Sequence, residues 1–340
     1  MGIGSVSGAG QTKQPQKIGD FIESTSYNEH RRNATRSLQY TPDGDDFVCI
    51  NGKNRFTRAL YGSHTAFRLE TSDRPVFAAY TKENPKHICF KLQTSGGTVA
   101  LDSTEHCESR YTAGRRSYSL SDPAFGGGSL SITTWALPDK EGAIWQFNAR
   151  NFKEFHPVLL ASISEIRNSK LNRNGDMGAD PADSFEAPLQ PQQLQSFPVQ
   201  IDGTLYILLE NQELRTLTTA EGENLFKKAE AARSETASRI RIETPDPYFN
   251  TLGGTLAMAA DGIWDGEVWL HGAIGWRMPL SGWRAAYTGD VLGWHDRART
   301  HFNAYAASQV TEVPNTLPHP AQDSALHLAR SVKKWGTPQY

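Results

Sequence analysis

The sequence predicts an α+β multidomain protein: an N-terminal antiparallel β-sandwich, a linker helix, then a helical region. Three observations predict it. Between about Tyr40 and Glu210, short apolar runs alternate with Gly, Pro and Asn breaks, and little helical periodicity shows. At Thr218, with Glu221 three residues on, a capping box opens a run rich in Ala, Glu, Lys and Arg. Beyond Pro245 the apolar spacing stays helical. The expected division is an N-terminal tail over 1–37, the sandwich over 38–215, the linker helix over 216–244 and a helical domain over 245–340.

Length and composition bound the function classes. The chain has 340 residues, enough for two domains with buried cores. Apolar residues at 38%, charged residues at 21% and a mean hydropathy of −0.54 exclude a disordered or collagen-like chain. No apolar run approaches the ~20 residues of a membrane-spanning helix. Thirty-five basic against thirty-seven acidic residues give a net charge of −2, which argues against a nucleic-acid binder. The three cysteines, Cys49, Cys89 and Cys107, form no CxxC, so a disulfide framework or zinc module is not expected. Cys49 and Cys89 lie in apolar runs that predict burial. One disulfide, such as Cys89 to Cys107, stays open.

The strand runs follow in order. Asp46 to Ile50 precedes the turn signal Asn51-Gly52. Then come Arg55 to Tyr61, Ala66 to Glu70, Val76 to Tyr80, His87 to Leu92 and Val99 to Asp102. Ser129 to Leu137 alternates and places Leu130, Ile132, Thr134 and Ala136 on one face. Gly142 to Ala149, Val158 to Ile163 and Thr204 to Leu209 complete the set. Asn172 to Pro181 is dense in Asx, Gly and Pro, but lacks the order of a calcium loop. In the helix after Thr218, Leu225, Phe226, Ala229 and Ala232 share one side. Thr244-Pro245-Asp246-Pro247 ends it. Leu252, Leu256, Ala259, Ala260 and Ile263 form the next helical face. Further helices are expected near Val291–Ser308 and Ser324–Trp335.

Candidate chemistry concentrates between Asp261 and Arg299, which holds five of the eight tryptophans: Trp264, Trp269, Trp276, Trp283 and Trp294. Carboxylates and arginines interleave with them. Sugars present C–H faces to aromatic rings, and their hydroxyls need Asp, Glu and Arg as partners. The expected substrate-binding residues are therefore Trp264, Asp265, Glu267, His271, Arg277, Trp283, Arg284 and Asp290. The plain alternative makes the tryptophans packing anchors and pairs the Arg and Asp groups with one another. Gly126-Gly127-Gly128 leads into a strand and so lacks the context of a phosphate loop. No Gly-x-Ser-x-Gly elbow and no HExxH spacing occur. No metal and no cofactor are expected.

Two stretches carry a resemblance. Leu38 to Gly44 with Asn51 to Gly62 is similar to the N-terminal module of six-hairpin, or (α/α)6-toroid, glycosidases of Bacteroidetes type. His271-Gly272-Ala273 through Gly275-Trp276-Arg277-Met278-Pro279 to Gly282-Trp283-Arg284 and Gly289-Asp290 resembles their first toroid hairpin. The resemblance implies that 245–340 is the start of a toroid. It also implies a glycoside hydrolase acting on plant or microbial oligosaccharides, with the catalytic acid and base on later hairpins. A polysaccharide lyase, in which Arg277, Arg284 and Tyr287 would matter, and a non-catalytic glycan-binding protein are the alternatives. The expected partner is an oligosaccharide or polysaccharide, with no nucleic acid and no membrane span. The implied substrate, with the small-residue run Ser5 to Gly10, suggests a periplasmic or extracellular location. An unclosed toroid would expose an apolar face on the helices carrying Leu252, Leu256, Ala298, Phe302 and Val332, and the chain alone would lack hydrolase activity.

Overall fold

A computed structural model describes residues 16–18, 21–23, 40–53, 58–61, 67–80, 86–152, 157–165, 195–199, 203–270 and 286–307. Two large antiparallel sheets dominate. The first runs β17-β16-β13-β12-β11-β10-β4-β3, and the second β15-β14-β8-β7-β6-β5, with β9 paired to β8. In chain order the first sheet uses β3 (Thr41–Asp43), β4 (Asp46–Ile50), β10 (His106–Thr112), β11 (Arg115–Ser121), β12 (Ser129–Ala136), β13 (Gly142–Arg150), β16 (Thr204–Glu210) and β17 (Glu213–Leu217). The second uses β5 (Arg58–Tyr61), β6 (Arg68–Thr71), β7 (Val76–Tyr80), β8 (Lys86–Thr94), β9 (Gly97–Ala100), β14 (Val158–Glu165) and β15 (Gln195–Pro198). A separate ribbon pairs β1 (Gln16–Ile18) with β2 (Phe21–Glu23).

The sheets pack face to face because alternate residues on both are apolar. Phe77 and Phe90 from the second sheet meet Trp145 and Phe147 from the first, edge to face at 5.1–5.7 Å. Each such pair adds about 0.5–1.5 kcal/mol beyond the area it buries. Leu130 and Ile132 point inward as their alternation predicts, and Thr134 shares their face in full burial. Asn51-Gly52 does turn the chain, but from one sheet to the other and not into a hairpin. Glycine is required there: a Cβ on Gly52 would fall 2.1 Å from an Asp73 carboxylate oxygen. All three cysteines are free thiols.

Among the described residues three complete helices follow: α1 (Thr219–Ala237), α2 (Pro247–Gly262) and α3 (His295–Ala307). The capping box is formed. Thr218 Oγ1 accepts from Glu221 N at 3.3 Å, and the Glu221 carboxylate accepts from Thr218 N at 3.0 Å. α1 lies on the outer face of the first sheet, where Leu225, Phe226 and Ala229 pack on Trp135, Tyr206 and Leu208. Asp246 caps α2 by accepting from Tyr248 N at 2.9 Å, and Pro247 opens it.

The expected fold class needs correction. The chain is built mainly of antiparallel sheets, and among the described residues the helices form no toroid. Each helix buries part of its apolar surface on the sandwich or on a neighbour. Leu252 and Tyr248 of α2 pack against the main sandwich core, and Ala298 of α3 is buried in the tryptophan cluster described below. Apolar spacing announced that a face is buried; it could not announce against what. Leu256 and Phe302 are the exposed members of the expected apolar face, at 49% and 41%. Val332, the helix near 324–335 and the Asn172–Pro181 loop lie outside the described residues. No described helix is long and apolar enough to cross a membrane.

Candidate functional site

The end of α2, the chain after it and the start of α3 build one corner of the molecule. Asp265 Oδ1 accepts from Glu267 N at 2.9 Å and Val268 N at 2.7 Å, which folds a tight turn through Gly266 at φ +98°. Trp264 and Trp269 bridge across that turn, with ring centroids 4.6 Å apart. Trp294 joins them 6.4 Å from Trp269. All three rings are buried, with Ala286, Leu292 and Ala298 completing the cluster. Trp269 is fixed further: its Nε1–H donates to Ala260 O at 3.0 Å, and its backbone N–H to His301 Nδ1 at 3.0 Å.

Beside this cluster, where it meets the sandwich rim and α1, a cleft of about 340 Å³ opens. Arg239 and Arg297 hold their guanidinium carbons 5.1 and 4.7 Å from the centre of the Trp294 ring. Arg297 Nη1 donates to Asp261 Oδ1 at 2.6 Å, and Arg239 Nη1 to Leu292 O at 2.8 Å. On the opposite wall Arg233 donates twice to Glu230, at 2.8 and 2.6 Å, and once to Ala113 O. The Trp135 indole N–H donates to the same Glu230 at 2.9 Å. Burial pushes the Glu230 carboxyl up, but Arg233, Arg115 and the Trp135 N–H outweigh it and hold the group below the ordinary carboxylate range. Tyr61 of β5 closes one end. Gly262 lets its ring in, since a Cβ there would lie 2.2 Å from Tyr61 Cγ. Burial, with the nearby Glu70 carboxylate, pushes the Tyr61 phenol up to about 12. Tyr61 is therefore a neutral donor at physiological pH.

The expected site residues divide. Trp264 is a packing member of the tryptophan cluster. Asp265 ties its own turn, and Glu267 is exposed on that turn. Asp290 is exposed and pairs with His295 at 2.6 Å. None of these four lines the cleft. His271, Arg277, Trp283 and Arg284 lie outside the described residues. From the same sequence window the cleft takes Asp261, Trp294 and Arg297. It takes Tyr61, Trp135, Arg233 and Arg239 from distant segments that sequence reasoning did not connect. Among the described residues, no three His, Cys, Asp or Glu side chains gather as a metal site.

Residues 85–240 match a protein-family model described as a domain of unknown function, DUF4450. The match takes in β8 to β17 and α1, and with them Trp135, Arg233 and Arg239 of the cleft. Tyr61, Asp261, Trp294 and Arg297 lie outside it. No curated protein matches the chain.

Proposed function

We propose that this chain is the saccharide-binding part of a glycan-processing protein and that the cleft between the sandwich rim, α1 and α3 receives the sugar. One observation carries the reading: guanidinium groups, carboxylates and a phenol share a single cleft whose volume sits at the small end of ligand pockets, about 300–1,000 Å³. Planar guanidinium forks suit paired sugar oxygens, and Asp261 and Glu235 can accept from hydroxyls. Binding is favoured over cleavage within this cleft. Glycosidic hydrolysis needs one protonated carboxyl and one free carboxylate flanking the bond. Here Asp261 is committed to Arg297 at 2.6 Å, and Glu235 stands beside Arg239 at 3.8 Å. Hydrolysis of oligosaccharides is proposed for the protein in which this module works, outside the cytoplasm where polymeric glycans are met.

The test is calorimetric titration of the chain with a panel of neutral and uronate-containing oligosaccharides. Binding is expected for at least one class, weakened tenfold or more in Arg239→Ala and Arg297→Ala, a loss of about 1.4 kcal/mol. A panel without binding, or binding that both variants leave unchanged, overturns the proposal.

A further inference from the structure

Arg239, in the turn after α1, is held at the cleft from several sides. The helical segment 286–291 ends on a left-handed glycine, Gly293 at φ +82°. Trp294 N–H donates back to Gly289 O and Gly293 N–H to Asp290 O, each at 2.9 Å, which is the bonding of a glycine-closed helix end. Leu292 O, in that ending, accepts from Arg239 Nη1 at 2.8 Å. A Cβ on Gly293 would fall 3.3 Å from the same Nη1, so the bare glycine keeps the approach open. The Arg239 guanidinium carbon also stands 5.1 Å from the centre of the Trp294 ring. A guanidinium set on a ring and a fixed carbonyl loses less freedom when it takes a ligand. Arg241, close by in sequence, is no match: its side chain is 84% exposed, against 29% for Arg239.

The three cleft arginines differ in what remains of their hydrogen-bonding edges. Arg297 is tied to Asp261, and Arg233 to Glu230 and Ala113 O. Arg239 makes no hydrogen bond to a carboxylate among the described residues. Its neighbour Glu235 stays 3.8 Å from Nη2, beyond hydrogen-bond reach, and the Glu235 side chain is 78% exposed. An exposed ion pair of this kind contributes little. Nε and Nη2, one edge of the planar fork, therefore remain to donate.

The rest of the cleft selects the kind of anion. Asp261 and Glu235 line it together with the guanidinium groups, so a multiply charged phosphate would meet carboxylates as well. The same carboxylates accept from hydroxyls. The matching ligand carries one carboxylate and several hydroxyls. Resting on the saccharide reading above, we propose that the cleft's sugar is a uronic acid whose carboxylate pairs side-on with Nε and Nη2 of Arg239. Such a bidentate pair adds geometric selection to charge, because a lysine cannot reproduce the fork.

The experiment is calorimetric titration of the full chain with trigalacturonate and a glucuronate-bearing xylotriose, each as the acid and as its methyl ester, and with neutral maltotriose. Esterification removes the charge and the paired acceptor and keeps the rings and hydroxyls. At least one acid is expected to bind about tenfold tighter than its ester, or better. In Arg239→Ala acid and ester should converge to within about twofold. Arg239→Lys keeps the charge without the fork and should retain only part of the preference, which covers the case where Arg239→Ala fails to fold. Arg297→Ala should weaken acid and ester alike. Equal binding of acid and ester by the wild-type chain, or a preference that survives in Arg239→Ala or stays whole in Arg239→Lys, overturns the proposal; binding of esters or maltotriose in those cases leaves the saccharide reading standing. No binding by any of the five sugars removes the saccharide reading and this inference with it.

Discussion

Gly289→Ala sets two physical effects of opposite sign against each other. Gly289 lies in the helical segment 286–291. In an open helix, replacing glycine by alanine stabilises by about 0.5–1 kcal/mol. Here the added Cβ would fall 2.1 Å from Trp269 Cη2 and 2.3 Å from Cζ2. Ordinary carbon contacts are about 3.5–4.0 Å. The indole cannot retreat easily. It is 1% exposed, bonded to Ala260 O, and set against Trp264 and Trp294. Overpacking of this kind costs about 1–3 kcal/mol. The net expectation is a loss of about 1–2 kcal/mol, read as a lower urea midpoint with an unchanged slope. Trp269→Phe removes the two atoms in conflict. In that background Gly289→Ala should be neutral or stabilising, giving a coupling of at least about 1 kcal/mol in the double-mutant cycle. Stabilisation of the wild-type chain by Gly289→Ala, or strictly additive effects, would refute the packing argument.

Thr218→Ala removes the acceptor of the α1 capping box and should cost about 1 kcal/mol in urea unfolding, whereas Thr218→Ser should cost little. Burial lowers the His87 pKa from 6.5 to about 4. The unfolded chain therefore binds the extra proton between those values, and stability falls as pH drops from about 6.5 to 4, by up to about 1.4 kcal/mol per pH unit. Glu70, raised by burial, acts in the opposite sense, so the test is the difference between wild type and His87→Leu, whose pH slope should be flatter. Cys107 and Cys49 should resist a thiol reagent at pH 8 in the folded chain and react in denaturant; rapid native labelling of either would contradict their burial.

Signals in the sequence are decisive where the structure they encode is local. The capping box needs only Thr218 and Glu221. Asp46–Ile50 and Val76–Tyr80 follow from short runs between breaks, and both are strands with those bounds. Strand order is a different matter. β4 pairs with β10 and β8 with β14, joining segments about 60 to 80 residues apart. The helical half departs from the expected toroid for the same reason. Leu252 advertises an apolar face, but only the folded chain reveals that the face meets the sandwich. The tryptophan-rich window was visible, yet its density has two causes. Trp264 and Trp269 are there to pack on each other. Trp294 borders the cleft, and its arginine partners come from the turn after α1 and from α3. One clue inside the sandwich was legible. In Arg115–Ser121 alternation puts Arg116 in phase with Tyr118 and Leu120, so a charge on the apolar face was written into the strand.

Arginine marks both special places in this molecule, and the two uses differ in energetic sense. In the cleft, Arg297 has Asp261, Arg239 has a carbonyl and a nearby carboxylate, and Arg233 donates two hydrogen bonds to Glu230. Their charges are answered by the protein, and rings or fixed acceptors restrain the guanidinium planes. Such groups can accept a further oxygen ligand without first losing water on every face, which suits a recognition site that must bind and release. In the core, Arg116 is held by two phenol rings, a carbonyl and hydroxyls, none of which carries charge at neutral pH. The same residue type therefore sits beside carboxylates at the rim and among neutral oxygens in the core, where the carbonyl of Ser72 is its backbone partner.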